Sequence, residues 1–247
     1  MSWSSSLLFV LQYGLYRHHN EKDGSAFSDI HLLVIDTRQL PPRTFVKDLE
    51  IIPIFAPFNG EWNQYKDLSR ILNLRQSDYY FGEYLSQGDL DLTGKAAQTS
   101  LQQLIDLGLF SLVPQMRDEE SWGSWARPVV GFRKCFNDTA DVYASRTEVR
   151  RAITIAEGAF GGPWTIPVSA MLLALQPRQR SDSAIVRGFE AMFTEAEFRT
   201  ASLSEMYIDE ERLPEVAQFR RLIGDIDSYL SPVDDMVNSF EALGIEA

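Results

Sequence analysis

Residues 79–114 read YYFGEYLSQGDLDLTGKAAQTSLQQLIDLGLFSLVP. Tyr79 to Leu85 is rich in aromatic residues, which favour a strand on a half-buried surface. Ser86-Gln87-Gly88-Asp89 is turn chemistry. Asp89 to Leu92 alternates polar and apolar, which predicts a second, half-exposed strand. Thr93-Gly94 closes it. Thr99 or Ser100 is placed to cap the helix that follows, with Gln102 or Gln103 near the reach-back position. Leu101, Leu104, Ile105 and Leu109 make its apolar face, and Gly108 suits a left-handed residue at its end. The order is strand, turn, short strand, helix.

Towards the N-terminus, Ser2 to Ser6 precede an apolar run that predicts a helix from Leu7 towards His18, with one serine as its N-cap. Gly14 weakens that helix slightly. Ile30 to Ile35 is almost continuously apolar, the pattern of a central strand covered on both faces. Phe45 to Ile54 fits either a strand or a helical turn. Tyr65, Leu68, Ile71 and Leu72 space as a helix.

Residues 118–145 form an irregular connector containing Trp122 and Trp125, with Val129 to Phe132 as a short strand. Beyond it the chain reads as helix. Val149, Ile153, Ala156 and Phe160 form one stripe, broken by Gly161-Gly162-Pro163. Thr165 begins a helix with Pro167 in its tolerated first turn, whose apolar body reads as the buried centre of this half. Ile185, Phe189 and Met192 mark another helix. Val216, Phe219, Ile223, Ile226 and Leu230 repeat at three and four. Ser231-Pro232 starts a last helix, with Val233, Val237 and Phe240 inward. The fold class is α+β: a small mixed β-sheet with flanking helices over 1–117, the connector 118–145, and an acidic all-α bundle over 146–247.

The 247 residues carry a net charge of −12, which disfavours nucleic acid and acidic membrane surfaces as partners. The acid is uneven, with 13 of the acidic residues before Asp118 and 22 from there on. A single cysteine, Cys135, excludes an internal disulfide and a cysteine-rich zinc site. No metal site is expected. No basic leader precedes the first apolar run, and the longest apolar stretch, Ile166 to Leu175, is far short of the roughly 20 residues a membrane-spanning helix needs. The expectation is a soluble, intracellular, cytoplasmic protein.

Four blocks of sequence carry a resemblance. WSSSLLFVLQYGLYRH, IHLLVIDT, YYFGEYLSQGDLDL and SLQQLIDLGLFSLVP resemble a domain of unknown function widespread in filamentous fungi, over Met1 to Pro114. More distantly, the chain is similar to the ADP-ribosyltransferase fold. There a serine element leads into a helix and a later strand carries a glutamate. Ser4, Ser5 and Ser6 match the serine element, and Glu83 matches the glutamate. The resemblance implies a nicotinamide-ribose pocket shaped by the serines, with Glu83 as the catalytic residue. Glu83 would hold the ribose hydroxyl and stabilise the oxocarbenium-like charge as nicotinamide leaves, since a carboxylate beside a developing cation lowers the barrier. Phe81 stands where many protein-modifying members carry Gln or Glu, and the Arg or His of an earlier strand has no place before Ser2.

Each candidate also has a plainer reading. Glu83 as an exposed strand carboxylate, or one paired with a nearby arginine, is commonplace. The serines can be an N-cap. His31 reads as a core or edge histidine, and His18-His19 as cations favoured at a helix end. Asp36 follows a buried strand, where sites occur in α/β folds, and is also a turn-former.

Two functional readings follow. The first is a non-catalytic or degenerate-enzyme interaction protein with no cofactor, whose acidic helices dock a protein partner or a second copy. An apolar patch rimmed by charge would mark its surface. The alternative is an ADP-ribosyltransferase-like enzyme that uses NAD and Glu83.

Overall fold

The computed structural model describes residues 1–56, 68–137, 142–206 and 212–230. Strand β1 (Ser2–Ser4) leads into helix α1 (Leu7–His19), whose N-cap Ser6 accepts a hydrogen bond from the Phe9 N–H. Leu8, Leu11 and Leu15 of α1 are buried. Gly14 has a packing reason beyond its propensity cost. A Cβ there would meet Leu101 at 3.0 Å and Ile30 at 3.4 Å, so the missing side chain lets α1 lie close on its neighbours.

Strand β2 (His31–Ile35) is followed by β3 (Val46–Lys47), α2 (Asp48–Phe55) and α3 (Leu68–Arg75). In the ambiguous stretch Phe45 to Ile54, Val46 is strand, whereas Ile51-Ile52, a strand in one of the two alternatives, lies inside helix α2. Strand β4 (Glu83–Leu85) lies between β1 and β3, antiparallel to both, with Ser4 opposite Glu83 and Lys47 opposite Tyr84. Strand β5 (Ala96–Ser100) pairs antiparallel with β2 along its whole length, His31 opposite Ser100 and Ile35 opposite Ala96.

The α+β class is therefore what the structure has, with the strands divided between two small antiparallel sheets rather than joined in one mixed sheet. Two expectations about strands in the front part are corrected. β2 has β5 as its neighbour in a two-stranded ribbon, with His31 exposed and Leu32 buried, so it is not a central strand covered on both faces. Asp89 to Leu92 is not a strand. The Asp91 carboxylate accepts from the Thr93 N–H at 3.1 Å, and the Lys95 N–H bonds the Leu92 carbonyl. A side chain that offers the backbone a local partner draws it away from a ladder. The strand begins only after that turn, where β2 supplies the partners.

Helix α4 (Leu101–Asp106) is capped by Ser100, which accepts from the Gln103 N–H, and ends at Gly108 with φ +108°. A short helix α5 (Leu109–Leu112) and two 3-10 turns carry the chain to α6 (Arg127–Lys134). Val129 to Phe132, expected as a strand, lies inside α6. A short apolar run has no period of its own, and Pro128 in the first turn suits a helix start. Gln12 of α1 holds the preceding loop, donating from Nε2 to the carbonyls of Ser121 and Ser124, both at 3.0 Å.

Helix α7 (Arg146–Ala159) starts with a reciprocal capping box between Ser145 and Glu148. Helix α8 (Thr165–Leu173) is buried on all sides, as its apolar sequence predicts, and the buried Ser169 hydroxyl donates back to the Thr165 carbonyl at 2.6 Å. Helices α9 (Ser183–Met192), α10 (Glu195–Ala201) and α11 (Pro214–Leu230) complete the described chain. α11 buries Val216, Phe219, Ile223 and Ile226, the predicted seam. Of the three residues that marked α9, Ile185 and Phe189 are buried and Met192 is exposed. The helix expected after Ser231 lies outside the described residues.

One cluster of buried side chains runs from Leu8 of α1 through Phe81, Leu104, Trp122, Val129 and Ile153 to Ile226 of α11. The front strands, the connector and the helices all contribute to it.

Candidate functional site

Gly82 sets the geometry around Glu83. Its φ of +63° is a left-handed conformation that favours glycine. A Cβ there would lie 2.0 Å from the Ser5 hydroxyl oxygen. The Ser5 N–H and hydroxyl both donate to the Gly82 carbonyl, at 2.8 and 3.4 Å. The Ser4 hydroxyl donates to the Phe81 carbonyl at 2.6 Å and accepts from the Ser6 N–H. The Ser6 hydroxyl donates to Glu215 Oε1 at 2.6 Å while it caps α1. The structure thus brings Ser4, Ser5 and Ser6 beside the Phe81–Glu83 segment, and all three hydroxyls are bonded within the protein.

The Glu83 carboxylate lies against the Arg75 guanidinium, a close contact of charges without a directed hydrogen bond to Oε2. Arg75 also donates from Nε to Asp48 Oδ2 at 3.0 Å and from Nη1 to the Tyr79 carbonyl at 3.2 Å. One cation from α3 therefore sits between a carboxylate of α2 and one of β4. Burial pushes the pKa of Glu83 up, Arg75 pulls it back, and the charge of Asp48 adds to the rise. Burial likewise raises Asp48 against the pull of Arg75.

A second pair lies nearby. Arg133 of α6 donates to both oxygens of Glu215 on α11, with Nη2 2.6 Å from Oε1, and also to the Tyr80 carbonyl. The Glu215 side chain is only 3% exposed. The two arginines meet at Phe81, which is fully buried: the guanidinium carbons of Arg75 and Arg133 lie 5.9 and 5.3 Å from its ring centre. Phe9 stacks on the same ring at 4.7 Å, and Trp125 meets it edge-on at 5.6 Å. Charges taken from water need partners in good geometry, and these aromatic surroundings hold the partners in place.

The chemistry open to this cluster is limited by its own bonds. A carboxyl with a raised pKa is what a general acid requires, and Glu83 has that property. Its Oε2, however, is closed off from solvent and faces Arg75. Two surface hollows, one between α9 and α11 and one beside the start of α11, are lined by neither Glu83 nor the serines.

The other sequence candidates serve local structure. His18 stacks on Phe27 at 3.7 Å, with Nδ1 3.0 Å from the Ser25 carbonyl. Asp36 caps a 3-10 turn and pairs with Arg38, whose hydrogen bond lowers its pKa. Trp122 is buried and donates from its indole N–H to the Met116 carbonyl. Cys135 is exposed. Among the described residues no three His, Cys, Asp or Glu side chains gather where they could hold a metal ion, and no helix is long and apolar enough to cross a membrane.

Sequence reading missed Asp48, Arg75, Arg133 and Glu215. The one usable hint was that Glu215 adjoins the apolar seam beginning at Val216. No pattern within one segment announces partners 82 residues apart. No family model, curated protein or solved structure matches this chain.

Proposed function

We propose that this chain works by binding rather than by catalysis at Glu83, with the α+β front as a scaffold for surfaces carried elsewhere. One observation carries this reading. The residues that an NAD-cleaving site would use, Glu83 and Ser4 to Ser6, are bonded to the protein itself, the carboxylate to Arg75 and the serine hydroxyls to Phe81, Gly82 and Glu215. A catalytic carboxylate must reach the reacting atoms. Here that reach would require the Arg75 contact to open.

The C-terminal end of α2 supports a binding role. Ile54 and Phe55 are exposed there, at 64% and 54%. Large apolar side chains grouped at a surface are a common mark of protein contacts. This reading predicts a protein partner or a second copy at that end of α2.

The alternative remains an ADP-ribosyltransferase-like enzyme acting on NAD, supported by the adjacency of Ser4 and Glu83 across β1 and β4 and by the raised pKa of Glu83. Incubation of the purified chain with NAD separates the two. The binding reading expects nicotinamide release no faster than in buffer, for the wild type and Glu83→Gln alike. Release by the wild type that disappears in a Glu83→Gln variant of unchanged melting temperature would overturn it.

A further inference from the structure

A hollow of about 370 Å³ lies where residues 177–180 pass the first turns of α11. Pro214, Ala217, Gln218 and Arg221 form its α11 wall, at the three- and four-residue spacing of one helix face. Arg178 and Arg180 of residues 177–180 line it too, as do Phe136 and Asn137. Among the described residues no aspartate or glutamate lines it, although the chain carries 35 acidic residues against 23 basic.

The floor is rigid. The Arg178 N–H donates to Gln218 Oε1 at 2.8 Å, and Gln218 Nε2 donates to the carbonyls of Ala174 and Gln176. The Arg178 guanidinium is neutralised by Glu148 at 2.9 Å and bonded to the Leu173 carbonyl. It is therefore a structural cation.

Arg180 and Arg221 differ. Neither has an ion pair or a hydrogen bond among the described residues. Partial burial is the larger cause of a lowered pKa at Arg221, and the charge of Arg180 adds to it. Asp225, one turn along α11, counters these by less than Arg180 contributes. The N-terminal end of α11 adds a further positive potential at this place. Two guanidiniums without an ion pair among the described residues, beside a polar lining, are what a doubly charged oxyanion needs, because each guanidinium offers a planar fork of donors.

We propose that this hollow binds the phosphate or diphosphate group of a small molecule, gripped by Arg180 and Arg221. A long nucleic acid does not fit the same chemistry, since its further phosphates would meet an acidic surface. A hollow of this size lies at the lower end of the range for small-molecule sites. No residue of the charged cluster around Glu83 lines it, so failure of this inference leaves the reading of Glu83 untouched.

The test is calorimetric titration of the full chain with pyrophosphate, with inorganic phosphate as a second probe and sodium chloride at matched ionic strength as the control. Expected is saturable binding at one site. Arg180→Ala and Arg221→Ala should each weaken it by about tenfold or more, the usual loss for one hydrogen-bonded charge contact, with unchanged melting temperatures. No saturable heat at millimolar pyrophosphate would overturn the proposal. So would equal affinity in the double Arg180→Ala, Arg221→Ala variant, or an effect that sodium chloride reproduces.

Discussion

The guanidinium of Arg133 grips the carboxylate of Glu215 across 82 residues of chain, with contacts of 2.6 to 3.2 Å to its two oxygens. The same carboxylate accepts the Ser6 hydroxyl, which caps α1. A single buried ion pair thus ties the first helix, the connector helix and the last described helix together.

Breaking that pair from one side should be costly. Arg133→Met leaves Glu215 buried and unpaired, which typically costs about 3–5 kcal/mol. The double variant Arg133→Met, Glu215→Leu should recover much of the loss, because no isolated charge remains. Urea unfolding of the wild type, both single variants and the double variant measures the coupling. Strict additivity would show that the pair does not act as a unit.

Arg75 should matter more than either of its partners. Arg75→Met removes the cation that lies between Asp48 and Glu83, and the expected loss is about 3–5 kcal/mol. Asp48→Asn and Glu83→Gln each leave Arg75 with one carboxylate and should cost less. An Arg75→Met variant that unfolds at the wild-type urea concentration would contradict the arrangement.

The pH dependence follows from the directions of the shifts. Glu83 and Asp48 have folded pKa values raised above the ordinary range, chiefly by burial. Their contribution to stability is fully present below the unfolded-state value and is lost as pH rises through the folded one. Asp36 is lowered by its Arg38 hydrogen bond and acts in the opposite sense at lower pH. Glu83→Gln cannot ionise, so it isolates one of these groups. From about pH 4 upward, near the reference carboxylate value, the wild type should lose stability relative to Glu83→Gln. A difference between the two that stays constant up to neutral pH would remove the basis for a raised Glu83.

Gly82→Ala should be among the most damaging small changes. The positive φ alone costs about 1–3 kcal/mol for a residue with a Cβ, and the added carbon would sit 2.0 Å from the Ser5 hydroxyl and 2.8 Å from Leu213. The β1–β4 pairing should loosen, read as faster amide exchange at Ser5, whose N–H bonds the Gly82 carbonyl. Gly88→Ala, also at positive φ but with no neighbour within 4 Å, is the control for strain alone.

The sequence alone determined what depends on neighbours in the chain. Ser6, Ser100 and Ser145 cap helices because a short hydroxyl reaches the backbone N–H three residues on. The three- and four-residue spacing placed Val216, Phe219, Ile223 and Ile226 on one buried face. The α+β class followed from such local signals. Only the tertiary structure decided which strands pair, why β5 forms where no alternation marks it, and that Val129 to Phe132 turns as helix. It alone set Arg75 between Asp48 and Glu83 and brought Arg180 beside Arg221 of α11 without an ion pair among the described residues. Strand partners and buried ion pairs satisfy hydrogen-bonding groups and charges from distant segments, and one segment's sequence does not state where its partner will come to rest.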